Sequence, residues 1–197
     1  MIKLKGIDIG EVEIKGSLIT TEEGYVVTGS GKDIWENKDQ AYFSYLEQNE
    51  DFDFSVKITS LTMPHLYTKA GIMARDTSDD DSKHVYWMVF GSNEQRNNNI
   101  GGYEFQFRDQ KGGDSVAIYP AKSDSPNPEF PVNYPNTWLR LQRISNEFVA
   151  YYSEDGNEWK EYGRHTSTLN SKLMIGICVT SHSEKEMVEC VFTEVSI

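Results

Sequence analysis

A chain of 197 residues with 38% hydrophobic and 12% aromatic side chains carries enough apolar mass for a full core, which excludes a disordered chain. A formal net charge of −12 repels polyanions, so nucleic acid is excluded as a partner and anionic membrane surfaces are disfavoured. No run approaches the ~20 apolar residues of a membrane span, which leaves cations, neutral ligands and protein partners open.

The N-terminal "MIKLKGIDIG" is too short in its apolar part for a secretory signal. A cytoplasmic chain is expected, or an extracellular one if this is a mature fragment. Helical periodicity is nearly absent along the whole chain, and alternation is widespread. "TEEGY" near Gly24 reads as a first hairpin turn. "FDFSVKI" then places Phe52, Phe54, Val56 and Ile58 on one face of a strand.

The stretch "KAGIMARDTSDDDSKHVYW" sets four aspartates between two apolar runs. An EF-hand starting at Asp76 would need Gly at position six and Glu at position twelve, where Asp81 and Trp87 stand. The segment therefore reads as a solvated turn between strands. A calcium site of another kind, on Asp76, Asp79 and Asp81, is the alternative, and Asp8 with Glu194 is a second candidate if the chain ends pair. No cofactor is required by any motif, and structural calcium is the one metal kept open.

"GYEFQFR" alternates Tyr103, Phe105 and Phe107 with Glu104, Gln106 and Arg108, and "QKGGD" comes next as a turn. Residues 121–137, with four prolines, form the one long loop, placed to border a binding site or to cross between sheets. "TWLRLQRI" sets Trp138, Arg140 and Gln142 against Leu139 and Leu141, and "EDGN" near Gly156 is the most specific turn. The last two runs, "LMIGICVTSH" and "MVECVFTEVSI", read as a hairpin. Matching their apolar faces puts Ile177 opposite Cys190, so Cys178 and Cys190 stay as reduced thiols.

About 12 to 14 short strands result, without a composition shift that would divide residues 1–197 into two domains. The expected fold is all-β: a two-sheet antiparallel β-sandwich of the jelly-roll kind.

In order along the chain stand "DIGEVEIKGS", "GSGKDIWENKDQAYFSY", "ITSLT", "KAGIMARD", "YYSEDGNEW" and "IGICVTSH". Together they resemble the concanavalin A-like domains grouped with the "regulation of enolase" protein, modules often found beside bacterial glycoside hydrolases. The resemblance implies a lectin- or glucanase-type jelly roll with one concave sheet, and it carries no catalytic residues across. Glu36 departs from the pattern, since many relatives have Gly after Asp33-Ile34-Trp35.

A catalytic reading lacks its motif. Glu104 is followed by Gln106 and Arg108 rather than by the E-x-D-x-x-E of concanavalin A-like glucanases, and no G-x-S-x-G occurs. His65, His84, His165 and His182 show no metal spacing. The polar face of the inner strands supplies groups suited to sugar hydroxyls: Arg75, Glu104, Gln106, Arg108, Arg140 and Gln142, with His182 at a strand end and Trp138 as stacking platform. The sequence thus points to non-catalytic binding of an oligo- or polysaccharide. The alternatives are a glycoside hydrolase of the same fold, or a protein-interaction module that would expose an apolar patch.

Overall fold

The structure, a computed structural model, describes residues 2–96, 101–119 and 128–197. Its strands are β1 (Lys5–Ile9), β2 (Ser17–Thr20), β3 (Gly24–Gly31), β4 (Ala41–Asn49), β5 (Phe52–Leu61), β6 (Lys69–Arg75) and β7 (His84–Phe90). The second half adds β8 (Tyr103–Arg108), β9 (Val116–Ile118), β10 (Thr137–Ile144), β11 (Glu147–Ser153), β12 (Lys160–Thr166), β13 (Lys172–Thr180) and β14 (Ser183–Ser196). No helix is present among the described residues. The strands form two seven-stranded antiparallel sheets: a front sheet ordered β1-β4-β13-β6-β7-β8-β9 and a back sheet ordered β12-β11-β10-β5-β14-β3-β2. This is the jelly-roll sandwich that the alternation implied.

Alternation decides what each sheet contributes to the core between them. Phe54, Val56 and Ile58 of β5 and Leu139 and Leu141 of β10 come from the back sheet. Ile72, Val85, Trp87, Phe105 and Ile177 come from the front. The turns read from sequence join the expected neighbours, with β2 paired to β3, β8 to β9 and β11 to β12. Gly156, at φ +78°, supplies the left-handed residue of the last turn.

The expected terminal hairpin does not form. β13 pairs with β4 and β6 in the front sheet, while β14 crosses to the back sheet between β5 and β3. Ile177 therefore lies opposite Ser44 and Ile72, and Cys190 opposite Val27 and Leu61. Both sequences suit a strand, but the choice of sheet is set by long-range packing that adjacency along the chain does not reveal. Cys178 and Cys190 are free and buried.

The front sheet is covered on its outer face as well. β6 and β7 are buried along their whole lengths. A second apolar cluster of Phe43, Met73, Tyr86, Met88 and Phe90 closes over this face together with Ile34 from the β3–β4 loop. Residues 121–127 of the proline loop lie outside the described residues. Its later part packs Phe130 and Val132 into the sandwich and bonds Tyr134 Oη to the Phe90 carbonyl at 2.7 Å.

Candidate functional site

The aspartate turn is held from beneath by two arginines that the sequence assigned to ligand binding. Arg75, ending β6, donates from Nε to the Thr77 carbonyl at 2.7 Å and from Nη2 to that of Asp79. Arg108, ending β8, donates to the Ser82 carbonyl at 3.2 Å and to the Glu36 carbonyl at 2.7 Å. Both converge on Asp39 of the β3–β4 loop, Arg108 at 3.0 and 2.8 Å and Arg75 at 3.3 Å, and all three side chains are 0% exposed. Arg75 and Arg108 are therefore sealed from solvent rather than displayed on an open face. Their guanidinium groups are consumed in tying the aspartate turn and the β3–β4 loop onto the sheet. His84 lies 3.6 Å from Asp39, and burial holds its ring neutral, pushing it down to about 3.

The aspartates themselves face lysines. Asp76 pairs with Lys83, Asp80 with Lys38, and Asp79 and Asp81 with Lys111. Asp8 lies on the front sheet and accepts from Gly16 N, whereas Glu194 lies on the back sheet beside Lys57. The structure does not bring these two together. Among the described residues no group of three or more His, Cys, Asp or Glu side chains is placed to hold a metal.

A cleft of about 270 Å³ opens beside this network on the outer face of the front sheet. Pairing of β7 with β8 sets Glu104 opposite Met88 and Gln106 opposite Tyr86, so both acid and amide rise from the same face as Lys69 of β6. Trp35, Tyr67, Phe90 and Tyr119 supply aromatic walls. Asp33, Arg96 and His182 complete the lining.

The charges of the cleft balance. Lys69 Nζ bonds Asp33 Oδ1 at 2.6 Å and the Ile34 carbonyl at 2.9 Å, under the Trp35 ring at 5.7 Å. Burial pushes the Asp33 carboxyl up, but the Lys69 ammonium and the His182 ring together outweigh it and hold the group at about 2. Arg96 packs its guanidinium 4.3 Å from the centre of the Phe90 ring and donates to the Leu66 and Glu94 carbonyls at 2.7 and 2.6 Å. Gln106 donates from Nε2 to Glu104 Oε1 at 2.5 Å, which fixes the amide orientation. Its Oε1, fully buried, is left without a hydrogen-bond partner among the described residues.

Of the eight residues assigned to the ligand from sequence, Glu104, Gln106 and His182 meet in this cleft. Trp138, Arg140 and Gln142 lie on the outer face of the opposite sheet, because β10 belongs to the back sheet. There Arg140 and Gln142 both bond Asp53, Gln142 at 3.2 Å, and Arg140 lies 5.7 Å from the Trp159 ring. Trp138 is 9% exposed, wedged against Gly156 and Trp159, and offers no open ring face. Sequence reading missed Asp33, Lys69 and Arg96. Lys69 was reachable, since it alternates onto the Arg75 face of β6. Asp33 and Trp35 sit in a loop without periodicity, and only folding of that loop over the sheet brings them in.

Comparisons with solved structures agree with the architecture. A functionally unknown protein from Saccharomyces cerevisiae is similar over 97% of this chain and 94% of its own, at 14% identity and a TM-score of 0.67. Carbohydrate binding module CBM66 from Bacillus subtilis is similar over 96% and 92%, at 15% identity and a TM-score of 0.59. A GH43 protein from Bacillus licheniformis is similar over 85% of this chain but 31% of its own, at 11% identity and a TM-score of 0.59. At these identities the likeness shows a shared fold alone, a two-sheet antiparallel β-sandwich. No curated protein matches the chain. Residues 18–197 match the model described as "Protein of unknown function (DUF1349)", and the chain belongs to that family.

Proposed function

We propose that this protein binds a neutral saccharide, without catalysis, in the cleft between Trp35, Lys69 and Gln106. The observation that carries this reading is the lining itself: the part-exposed rings of Trp35, Tyr67 and Tyr119 stand beside the part-exposed polar groups of Asp33 and His182. Aromatic walls beside fixed polar groups suit the two surfaces of a sugar ring, apolar C–H faces and polar edges. Two carboxylates, Asp33 and Glu104, stand with two cations, Lys69 and Arg96, so the lining favours a neutral ligand over an acidic one. The net charge of −12 works in the same direction against anionic polysaccharides. The similar carbohydrate binding module supports the choice of ligand class.

A glycosidase needs a proton donor with a raised pKa. Asp33 is held ionised, which removes it from that role at neutral pH. The resemblance to "regulation of enolase" domains would add a protein partner. Ile19, Val116, Ile144 and Met187, exposed on β2, β9, β10 and β14, give that reading no single element to favour.

The test is a thermal-shift and calorimetric screen against neutral and acidic oligosaccharides. A ligand present at about 100 times its Kd stabilises by about 2.7 kcal/mol, or about 5–10 °C for a chain of this size. Trp35→Ala and Tyr119→Ala are expected to abolish the shift while leaving the fold intact. A ligand bound equally well by both variants would remove the cleft from the proposal, and a silent panel would remove sugar binding.

A further inference from the structure

His182, which lines the cleft, packs face to face with a second histidine, His65. His65 lies in the β5–β6 loop and His182 in the β13–β14 turn, with ring centres 4.4 Å apart and planes inclined by 26°. Tyr67 packs 5.4 Å from the His182 ring and 6.2 Å from Phe90, so it joins the histidine stack to the cleft wall. Its own position is set by His65, whose Nδ1 accepts the Tyr67 backbone N–H at 3.1 Å. The geometry is that of an Asx turn with an imidazole in place of the amide.

This arrangement tolerates one proton state at His65. A lone pair at Nδ1 receives the peptide N–H, and a proton there would set one donor against another. The second ring stands beside a carboxylate. His182 Nδ1 lies 3.3 Å from Asp33 Oδ2, within ion-pair distance though without hydrogen-bond alignment. Asp33 is shared with Lys69, and Lys32 lines a neighbouring pocket together with Asp33, Trp35 and His182. Burial lowers the His65 titration first, and a charged His182 lowers it further, against weaker opposing attraction from Asp33 and Glu186. Two imidazolium rings stacked at this distance repel one another.

We propose that the His65–His182 stack is a proton-sensitive latch on the cleft: neutral His65 holds Tyr67 in the wall, and its protonation releases Tyr67 and weakens ligand binding at acid pH. The linkage has a definite sign. His65 titrates lower in the folded protein than the ordinary histidine value of about 6.5, so the neutral, latched form still dominates at that pH and is lost only as pH falls through the lower folded midpoint. The role in ligand release rests on the saccharide reading of the cleft, whereas the latch itself does not.

The experiment therefore begins without ligand. Histidine ring and Tyr67 amide resonances are followed by NMR from pH 8 to pH 4, in the wild-type protein, His65→Asn and His182→Asn. Asn keeps an acceptor at the Nδ1 position and cannot take a proton. The Tyr67 amide is expected to titrate with His65 in the wild type and to become flat in His65→Asn. In His182→Asn the His65 midpoint should rise by roughly half a pH unit, the scale of two screened charges 4.4 Å apart in water. A Tyr67 amide indifferent to His65 protonation, or a His65 midpoint unmoved in His182→Asn, overturns the latch. A neutral oligosaccharide found by the screen should then lose affinity up to tenfold per pH unit below the His65 midpoint, and keep it in His65→Asn. If no sugar binds while the amide titration holds, the saccharide reading fails and the latch stands.

Discussion

Replacing Asp39 by Asn removes one buried charge and keeps nearly the same shape. In the wild type the carboxylate accepts from Arg108 at 3.0 and 2.8 Å and from Arg75 at 3.3 Å, and none of the three side chains touches solvent. The asparagine carbonyl can serve one guanidinium, but its amide then turns a donor toward the other. Two buried cations lose their counter-ion. Removing one partner of a buried ion pair costs about 3–5 kcal/mol, against a total stability of about 5–15 kcal/mol. For a chain of this length that corresponds to a fall in Tm of about 6–20 °C. Urea unfolding followed by tryptophan fluorescence should show a lower midpoint at unchanged slope. Asp79→Asn is the control, because its carboxylate is 51% exposed and its Lys111 partner 59% exposed, and no measurable change is expected. If Asp39→Asn unfolds within about 1 kcal/mol of the wild type, Asp39 is not what neutralises Arg75 and Arg108, and the β3–β4 loop is held down by something else.

The buried neutral His84 predicts acid lability. Its ring titrates near 3 in the folded state against an ordinary value of 6.5, so stability present above pH 6.5 is lost as pH falls toward 3. The slope from this one group reaches about 1.4 kcal/mol per pH unit, and His84→Met should flatten that part of the Tm–pH curve. Cys178 and Cys190 are buried, and burial raises both thiols well above the ordinary range, so a disulfide-exchange reagent should label neither until the protein is denatured. Calcium added after EDTA should leave Tm unchanged, because lysines already face Asp76, Asp79 and Asp81; a rise that disappears in Asp79→Asn would contradict this. Gly71→Ala should destabilise the front sheet strongly, since its Cβ would stand 2.2 Å from the Trp87 carbonyl oxygen.

What the amino-acid sequence determined by itself was local. Period-two alternation marked β5, β8 and β10 as strands and named their core faces, because side chains on a pleated strand must point alternately to opposite sides. Turn chemistry located the β2–β3, β8–β9 and β11–β12 connections, because residues such as Gly156 take the positive φ those turns need. Glu104 and Gln106 were legible as a polar pair on the face opposite Phe105 for the same reason. Tertiary structure decided the rest. It split the polar row, sending Arg140 and Gln142 to the back sheet and sealing Arg75 and Arg108 under Asp39. It separated β13 from β14 although only two residues join them. It also folded an aperiodic loop over the front sheet, bringing Asp33 and Trp35 to Lys69 across more than thirty residues of chain. Alternation reports which side of a strand is apolar. It does not report which sheet the strand joins or what will cover its other face, since both depend on partners distant in sequence.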